Sequence, residues 1–520
     1  MMKMKTAWLG GMVAGVLMAG MARADVRLPA IISSRMVVQA ERAAPVWGWA
    51  DPGEEVSVSI GTQTKTTRAG SDGKWMVRLD PLPSGFTGTM TVKGKNTVEI
   101  KDVLAGEVWL CSGQSNMAFS LKGAKDSATD IAAAEFGGKF RIFVEQSGHA
   151  VAPQAQGKGT WYIINPVYVA GHSAVAFYFG RELQRQLNQP VGLITSSVGG
   201  TPIEAWTRRD PQQARPELKP VLDIWQAKQA AYNPEAEKAA FEKRQAAYHE
   251  ALAKAKAQGK PAPLPPRLTP PPCETAGYPG NLFNGKIMPL IPYGIRGAIW
   301  YQGESNARTN SQLYANQLSL LIADWRALWG QPPSPGSGEP GGAFPFAWVQ
   351  LPNYKAEQLG FPGWCVVRDC QLRALKIPNT GMAITIDLGD PNDIHPKRKR
   401  EVGQRLALWA LAKVYGKAMP FSGPLPVGHD IKGDQVICKF QYADGGLKTR
   451  DGGEVKGFKI AGADKNWVMA VAKIEGEKVV VGAPEVKQPV AVRYAWEGDP
   501  DCNLINGAGL PASPFRTDAW

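Results

Sequence analysis

Four short strings carry side chains that could supply a nucleophile, a base and donors for an oxyanion. The first is Cys111-Ser112-Gly113-Gln114-Ser115-Asn116-Met117, which follows the apolar run Val108-Trp109-Leu110. A serine just past a strand end, behind a glycine that tolerates a tight turn, can act as a nucleophile if a base lies near. The second string, Ser197-Val198-Gly199-Gly200-Thr201, exposes glycine N–H groups suited to an oxyanion. The third, Trp300-Tyr301-Gln302-Gly303-Glu304-Ser305-Asn306, offers the Gln302 amide at another strand end. The fourth runs from Asp387 to Pro396 and contains Asp390, Asn392, Asp393 and His395. A serine mechanism needs a histidine base, and the chain has five: His149, His172, His249, His395 and His429. Only His395 lies in an acid-rich loop between a strand and a helix. Asp393, Asp390 or a backbone carbonyl could orient its ring.

The elements that must hold these strings alternate in type. Apolar strand candidates are Val108–Cys111, Phe140–Val144, Val191–Ser196, Ala298–Tyr301, Phe346–Leu351 and Met382–Leu388. Between them the spacing predicts helices over about 174–188 (capped by Ser173), 312–329 (ended by Gly330), 366–376 and 396–415. Strand and helix in alternation argue for an α/β fold with a parallel sheet covered on both faces. The four strings then fall at strand ends, where open sheets of this kind bind ligands.

The flanks read differently. Residues 25–100 alternate apolar and polar with period two, as in Val56-Ser57-Val58-Ser59-Ile60, and predict a small antiparallel β domain. The same rhythm returns over 421–520, in Val436-Ile437-Cys438-Lys439-Phe440 for example. The central domain is therefore expected over 101–420. Residues 212–275 break its rhythm: Asn233-Pro234 starts an Ala/Lys/Glu-rich helix, and a proline-rich linker follows. This insertion is expected to lie outside the catalytic core, as a lid, a partner surface or a solvated decoration. Lys397-Arg398-Lys399-Arg400 reads as the solvated first turn of a helix.

Hydrophobic residues make up 44% and charged residues 20%, which excludes a disordered chain. The net charge of +13 comes without a wide basic stripe, so no nucleic-acid partner is expected. Lys3 and Lys5, the uncharged stretch 6–22 and Ala22-Arg23-Ala24 predict a signal peptide over 1–24, cleaved before Asp25. The mature chain is then expected to be periplasmic or secreted, and free of the membrane. Six sparse cysteines leave disulfide pairing open, and neither a CxxC pair nor a His-rich pattern points to a metal.

Taken together and in this order, GQSNM, GGTPIEAW, WYQGESNA and DIHP resemble the sialate O-acetylesterase-like branch of the SGNH hydrolases, a branch of carbohydrate acetylesterases. The likeness spans roughly 100–420. It implies an SGNH, flavodoxin-like, three-layer αβα central domain flanked by β-rich, sandwich- or jelly-roll-like segments. It also implies a serine acetylesterase that acts on acetylated carbohydrate and uses no metal or cofactor. Ser115 matches the nucleophile and His395 the base. The N–H groups of Ser115 and of Gly199 or Gly200, with the Gln302 amide, match the oxyanion hole. Asp393 matches the orienting acid of this branch, whereas most SGNH enzymes carry it where Asn392 stands. Plant hemicellulose oligosaccharides are the expected substrate. Sialate esters are the alternative, and a non-catalytic carbohydrate-binding protein is the rival of another class.

Overall fold

The first described residues form β1 (Val37–Gln39) and β2 (Ala44–Trp49), and period-two alternation then produces β3 (Glu55–Ile60), β4 (Gln63–Arg68), β5 (Lys74–Leu79) and β6 (Thr87–Lys93). In β3 the side chains of Val56, Val58 and Ile60 turn inward, and in β5 those of Trp75, Val77 and Leu79 do the same. This is the pleat of a half-buried antiparallel sheet. The computed structural model describes residues 25–330 and 343–520, so the signal peptide expected over 1–24 lies outside the described residues.

The next strand, β7 (Thr97–Gly113), is 17 residues long and serves two regions. Its first half pairs antiparallel with β6, and its second half enters the central sheet. The expected boundary at 100/101 thus falls inside a continuous strand. The apolar run that marks the central domain begins only where β7 becomes buried on both faces.

The central sheet adds β8 (Phe140–Glu145), β9 (Gly159–Ile163), β10 (Val191–Ser197), β11 (Gly297–Tyr301), β12 (Phe346–Val349) and β13 (Thr380–Ala383). Their spatial order is β13-β12-β11-β7-β10-β8-β9, parallel throughout except for β9. Among the described residues six long helices accompany them: α1 (Ala174–Leu187), α2 (Lys219–Ala231), α3 (Pro234–Ala257), α4 (Tyr314–Trp329), α5 (Trp364–Arg373) and α6 (Lys399–Lys413). Alternate strand residues feed separate cores. Trp109, Ile299, Tyr301 and Val349 pack with Val175 and Phe179 of α1 and Val402 and Leu406 of α6. Leu110, Trp300 and Trp348 pack with Leu321 and Trp325 of α4 and Trp364 and Val367 of α5.

Local signals set the helix ends. The Ser173 hydroxyl accepts from the Ala176 N–H (3.2 Å), and Asn188 closes α1 in the left-handed region at φ 51°. The Asn233 side chain caps α3, and Gly330 at φ 50° ends α4. Beyond α6 the chain returns to β structure, including strands Leu425–Lys432 and Gln435–Gln441. The buried Arg368 of α5 ties this region down by donating to the carbonyls of Leu351 (2.9 Å), Glu497 (2.7 Å) and Gly498 (2.8 Å). All six cysteines are free thiols.

Candidate active site

Three strand ends lie level. Gly113 at the end of β7 is in register with Ser197 of β10 on one side and Tyr301 of β11 on the other. After β7 the chain builds β8 and β10 on one side, then crosses to β11 on the other. The site therefore opens at the sheet's switch point. Gly113 adopts φ 140°, and a Cβ there would lie 2.1 Å from the Tyr301 carbonyl oxygen, so only glycine fits. The turn is locked by the Gln114 N–H donating to that carbonyl at 3.0 Å. One helical turn, Ser115–Ala118, follows and leaves Ser115 half-buried at the cleft floor.

The loop after β13 brings His395 to the serine: its Nε2 lies 2.8 Å from Ser115 Oγ. The two are 280 residues apart in sequence. Several bonds hold the loop. The Asp387 carboxylate takes two bonds from Arg405, of 2.6 and 2.8 Å, and the Gly389 N–H donates to Asn353 Oδ1 at 2.7 Å. Burial, then the nearby Lys399 charge, holds the His395 imidazole below its ordinary value, against a smaller opposing effect of Asp393. The ring is therefore neutral, and able to accept a proton, further into the acid range.

The acids near His395 are arranged differently from a protease-like triad. Asp393 Oδ1 accepts the backbone N–H of His395 at 2.8 Å and stands 3.9 Å from Nδ1, beyond hydrogen-bond reach. Asp390 Oδ1 accepts from the Asn392 N–H at 2.9 Å, so it shapes its own turn. Asp393 is the acid nearest the ring, and its direct bond is to the loop.

The oxyanion side also differs in one member. Gly199 and Gly200 line the cleft beside Ser115, and a Cβ on Gly199 would come within 3.3 Å of Ser115 Cβ. Gln302, expected to aim its amide into the cleft, is fully buried below it. Its Nε2 donates to Thr201 O (3.2 Å) and Asn306 Oδ1 (2.7 Å), and its Oε1 accepts from Tyr314 (2.9 Å). With both ends committed, Gln302 braces the loops. Gln114, Asn306 and Asn310 are the amide residues that line the cleft.

The cleft encloses about 710 Å³. Its far wall departs from the expectation that residues 212–275 stand outside the site: Val221, Ile224, Trp225 and Lys228 of α2 all face it. Trp225 Nε1 donates to Glu204 (3.1 Å), a buried carboxylate that also accepts from Asn306 (3.0 Å) and Gln317 (3.1 Å). Decoration describes α3 alone, which has no buried residue. The spacing 221, 224, 225, 228 is a helix face and was available in the sequence. Two cations border the cleft: Lys228 sits 4.4 Å over the Trp225 ring and Arg308 lies 4.0 Å over Phe361.

A second correction concerns the basic run 397–400. Lys399 is fully buried, and burial pushes its ammonium down to about 7. Its helix explains why: Lys399, Val402, Leu406 and Ala410 share the inward face of α6.

Residues 105–258 and 286–412 match the family described as carbohydrate esterase, sialic acid-specific acetylesterase. The chain belongs to this family. Among its relatives are the sialate O-acetylesterases of Mus musculus (31% identical, covering 94% of each chain) and Homo sapiens (30% identical, covering 94% of this chain and 92% of that one). Its fold is similar to that of a carbohydrate acetylesterase from Xanthomonas citri, with TM-score 0.79 and 34% identity over 95% of this chain and all of that one. As a family member the chain is a carboxylic ester hydrolase of the acetylesterase type. The paired Ser115 and His395, set where strands β7 and β13 deliver them, have the chemistry this activity requires.

Proposed function

We propose that this chain is an exported esterase that removes acetyl groups from the hydroxyls of a sugar by two-step acyl transfer, on an SGNH-type three-layer fold. The 2.8 Å contact between Ser115 Oγ and His395 Nε2 carries this reading. His395 takes the serine proton as Oγ attacks the acetyl carbonyl. The N–H groups of Ser115 and of Gly199 or Gly200 face the oxygen where charge develops, and one such donor is worth about 10²–10³ in rate. His395 then protonates the departing sugar hydroxyl. Water repeats the sequence, and acetate leaves. Every step uses this chain's own groups and water.

Between the two sugar classes, the cleft cations favour an acidic one. Lys228 and Arg308 stand on the wall, whereas the carboxylates of Glu204 and Glu304 are buried in hydrogen bonds to the protein. A sialate ester fits this charge arrangement better than a neutral hemicellulose oligosaccharide, the second reading.

Export rests on the leader-like residues 1–24. An exported chain starting at Asp25 is expected on N-terminal sequencing, and a mature chain that retains Lys3 and Lys5 refutes export with cleavage. The decisive experiment for activity is Ser115→Ala with an aryl acetate. The variant should keep its fold and lose nearly all hydrolysis. Undiminished turnover, or covalent labelling by a serine-reactive phosphonate elsewhere than Ser115, refutes the reading. Wild-type protein that binds acetylated sugars and hydrolyses none would instead be a binding protein. A panel of O-acetylated sialic acid and acetylated xylo-oligosaccharides then separates the substrates by kcat/KM.

A further inference from the structure

Beneath the Ser115–His395 pair lies a chain of buried polar groups that the acyl transfer does not consume. Lys399 Nζ donates to Asn116 Oδ1 at 2.5 Å. Asn116 Nδ2 donates in turn to Glu304 Oε1 (2.5 Å) and to the Ile394 carbonyl (3.0 Å). Lys399 and Asn116 are fully buried and Glu304 is 1% exposed. Asn116 directly follows the nucleophile, Ile394 directly precedes the base, and Glu304 belongs to the loop after β11. One amide therefore joins all three loops of the site, with both of its N–H donors and its carbonyl oxygen engaged.

Burying an ammonium and a carboxylate costs several kcal/mol per ion, and apolar side chains of similar size would pack as well. The groups around Lys399 make the pairing specific. Its ammonium lies 5.0 Å from the Phe119 ring and 5.2 Å from the Tyr301 ring, with Glu304 and Asp393 as the nearby acids and His395 as the nearby base. The cation is thus tied, through Asn116, to the residue that precedes the base.

We propose that Lys399 is a positioning residue for the esterase reaction: through Asn116 it fixes the nucleophile and base loops in register, and its charge biases the His395 imidazole toward the uncharged, proton-accepting form. Glu304 is the counter-charge that keeps Lys399 an ammonium. The proposal rests on the esterase reading, but it can be tested without substrate.

The test is Lys399→Met, which keeps length and removes charge, read by NMR titration of the His395 imidazole and by kcat and KM on an aryl acetate. With the neighbouring cation gone, the imidazolium is less disfavoured, so the titration midpoint should rise. Loosened register should lower kcat about tenfold with KM little changed. A midpoint that does not move overturns the proposal, whatever kcat does. Should Lys399→Met fail to fold, Lys399→Gln makes the same test: its amide can still donate to Asn116 Oδ1, and the charge is removed. The His395 midpoint should again rise, and a fixed midpoint is again the refuting result. Because the titration needs no turnover, failure here is distinct from failure of Ser115→Ala to lose activity.

Discussion

Asp393→Asn is the substitution that weighs the acid beside the base. The resemblance to SGNH enzymes leads one to expect a triad, in which losing the acid costs about 10⁴ in kcat. The geometry implies far less. Asp393 Oδ1 is 3.9 Å from His395 Nδ1 and bonds instead to the His395 backbone N–H at 2.8 Å. An asparagine carbonyl can keep that bond, so the loop should retain its turn. What disappears is the charge. Two unit charges 4 Å apart interact by about 1 kcal/mol in water and about 4 kcal/mol at an effective dielectric of 20. The side chains are 40% and 48% exposed, so the lower part of that range applies. At about 1–2 kcal/mol the imidazolium formed in the transition state loses roughly 5- to 30-fold in rate. The pH profile adds a signed expectation. Asp393 raises the His395 value, so removing its charge should move the acid limb of kcat/KM to lower pH. The assay is kcat/KM on an aryl acetate across the acid limb, beside Asp393→Ala, which also breaks the loop bond and should cost more. A loss near 10⁴ for Asp393→Asn would refute this reasoning and mean that the ring and carboxylate close into a hydrogen bond during turnover.

Three further outcomes follow from the same structure. Replacing 234–268 by a short Gly/Ser linker removes α3, which buries nothing, and should leave aryl acetate hydrolysis and thermal stability near wild type; extending the deletion through α2 should raise KM for sugar esters, since Trp225 and Lys228 go with it. Asp387→Asn breaks a carboxylate–guanidinium pair whose side chains are 10% and 12% exposed and should destabilise by about 3–5 kcal/mol in denaturant titration. Arg405 holds Asp387 below the ordinary carboxylate range despite burial, so this stabilisation is present at neutral pH and lost as pH falls through that range, and the gap between variant and wild type should narrow in acid. Gly199→Ala puts a Cβ 3.3 Å from Ser115 Cβ, in a backbone conformation that alanine tolerates, and should lower kcat roughly tenfold or more with the fold intact; an unaltered kcat would remove Gly199 from the oxyanion side.

The legible parts of this molecule are those where one local rule decides. Period two marked the flanking strands, and strand ends marked the serine, glycine and histidine loops because apolar runs stop there. Ser173, Asn233 and Gly330 marked helix ends because each satisfies or releases backbone groups by its own chemistry. The domain boundary was not legible at 100/101, because β7 serves a half-solvated sheet and a fully buried one without changing conformation. The aim of Gln302 was not legible either, since a strand-end amide can face ligand or protein, and three tertiary partners chose protein.

Lys399 shows how two local rules can conflict. Composition places a run of four basic residues in water, because an unpaired ammonium is costly to bury. Helical period places Lys399 inside, on one face with Val402, Leu406 and Ala410. Period won because Asn116 and Glu304, from two other loops, supply the partners that make burial tolerable. Those partners lie about 283 and 95 residues away, beyond any local window. A charged residue on the apolar stripe of a helix is therefore worth reading as an inward residue whose partner has not yet been found. Here the position four residues after the base directs that search to the floor of the cleft, and away from the surface.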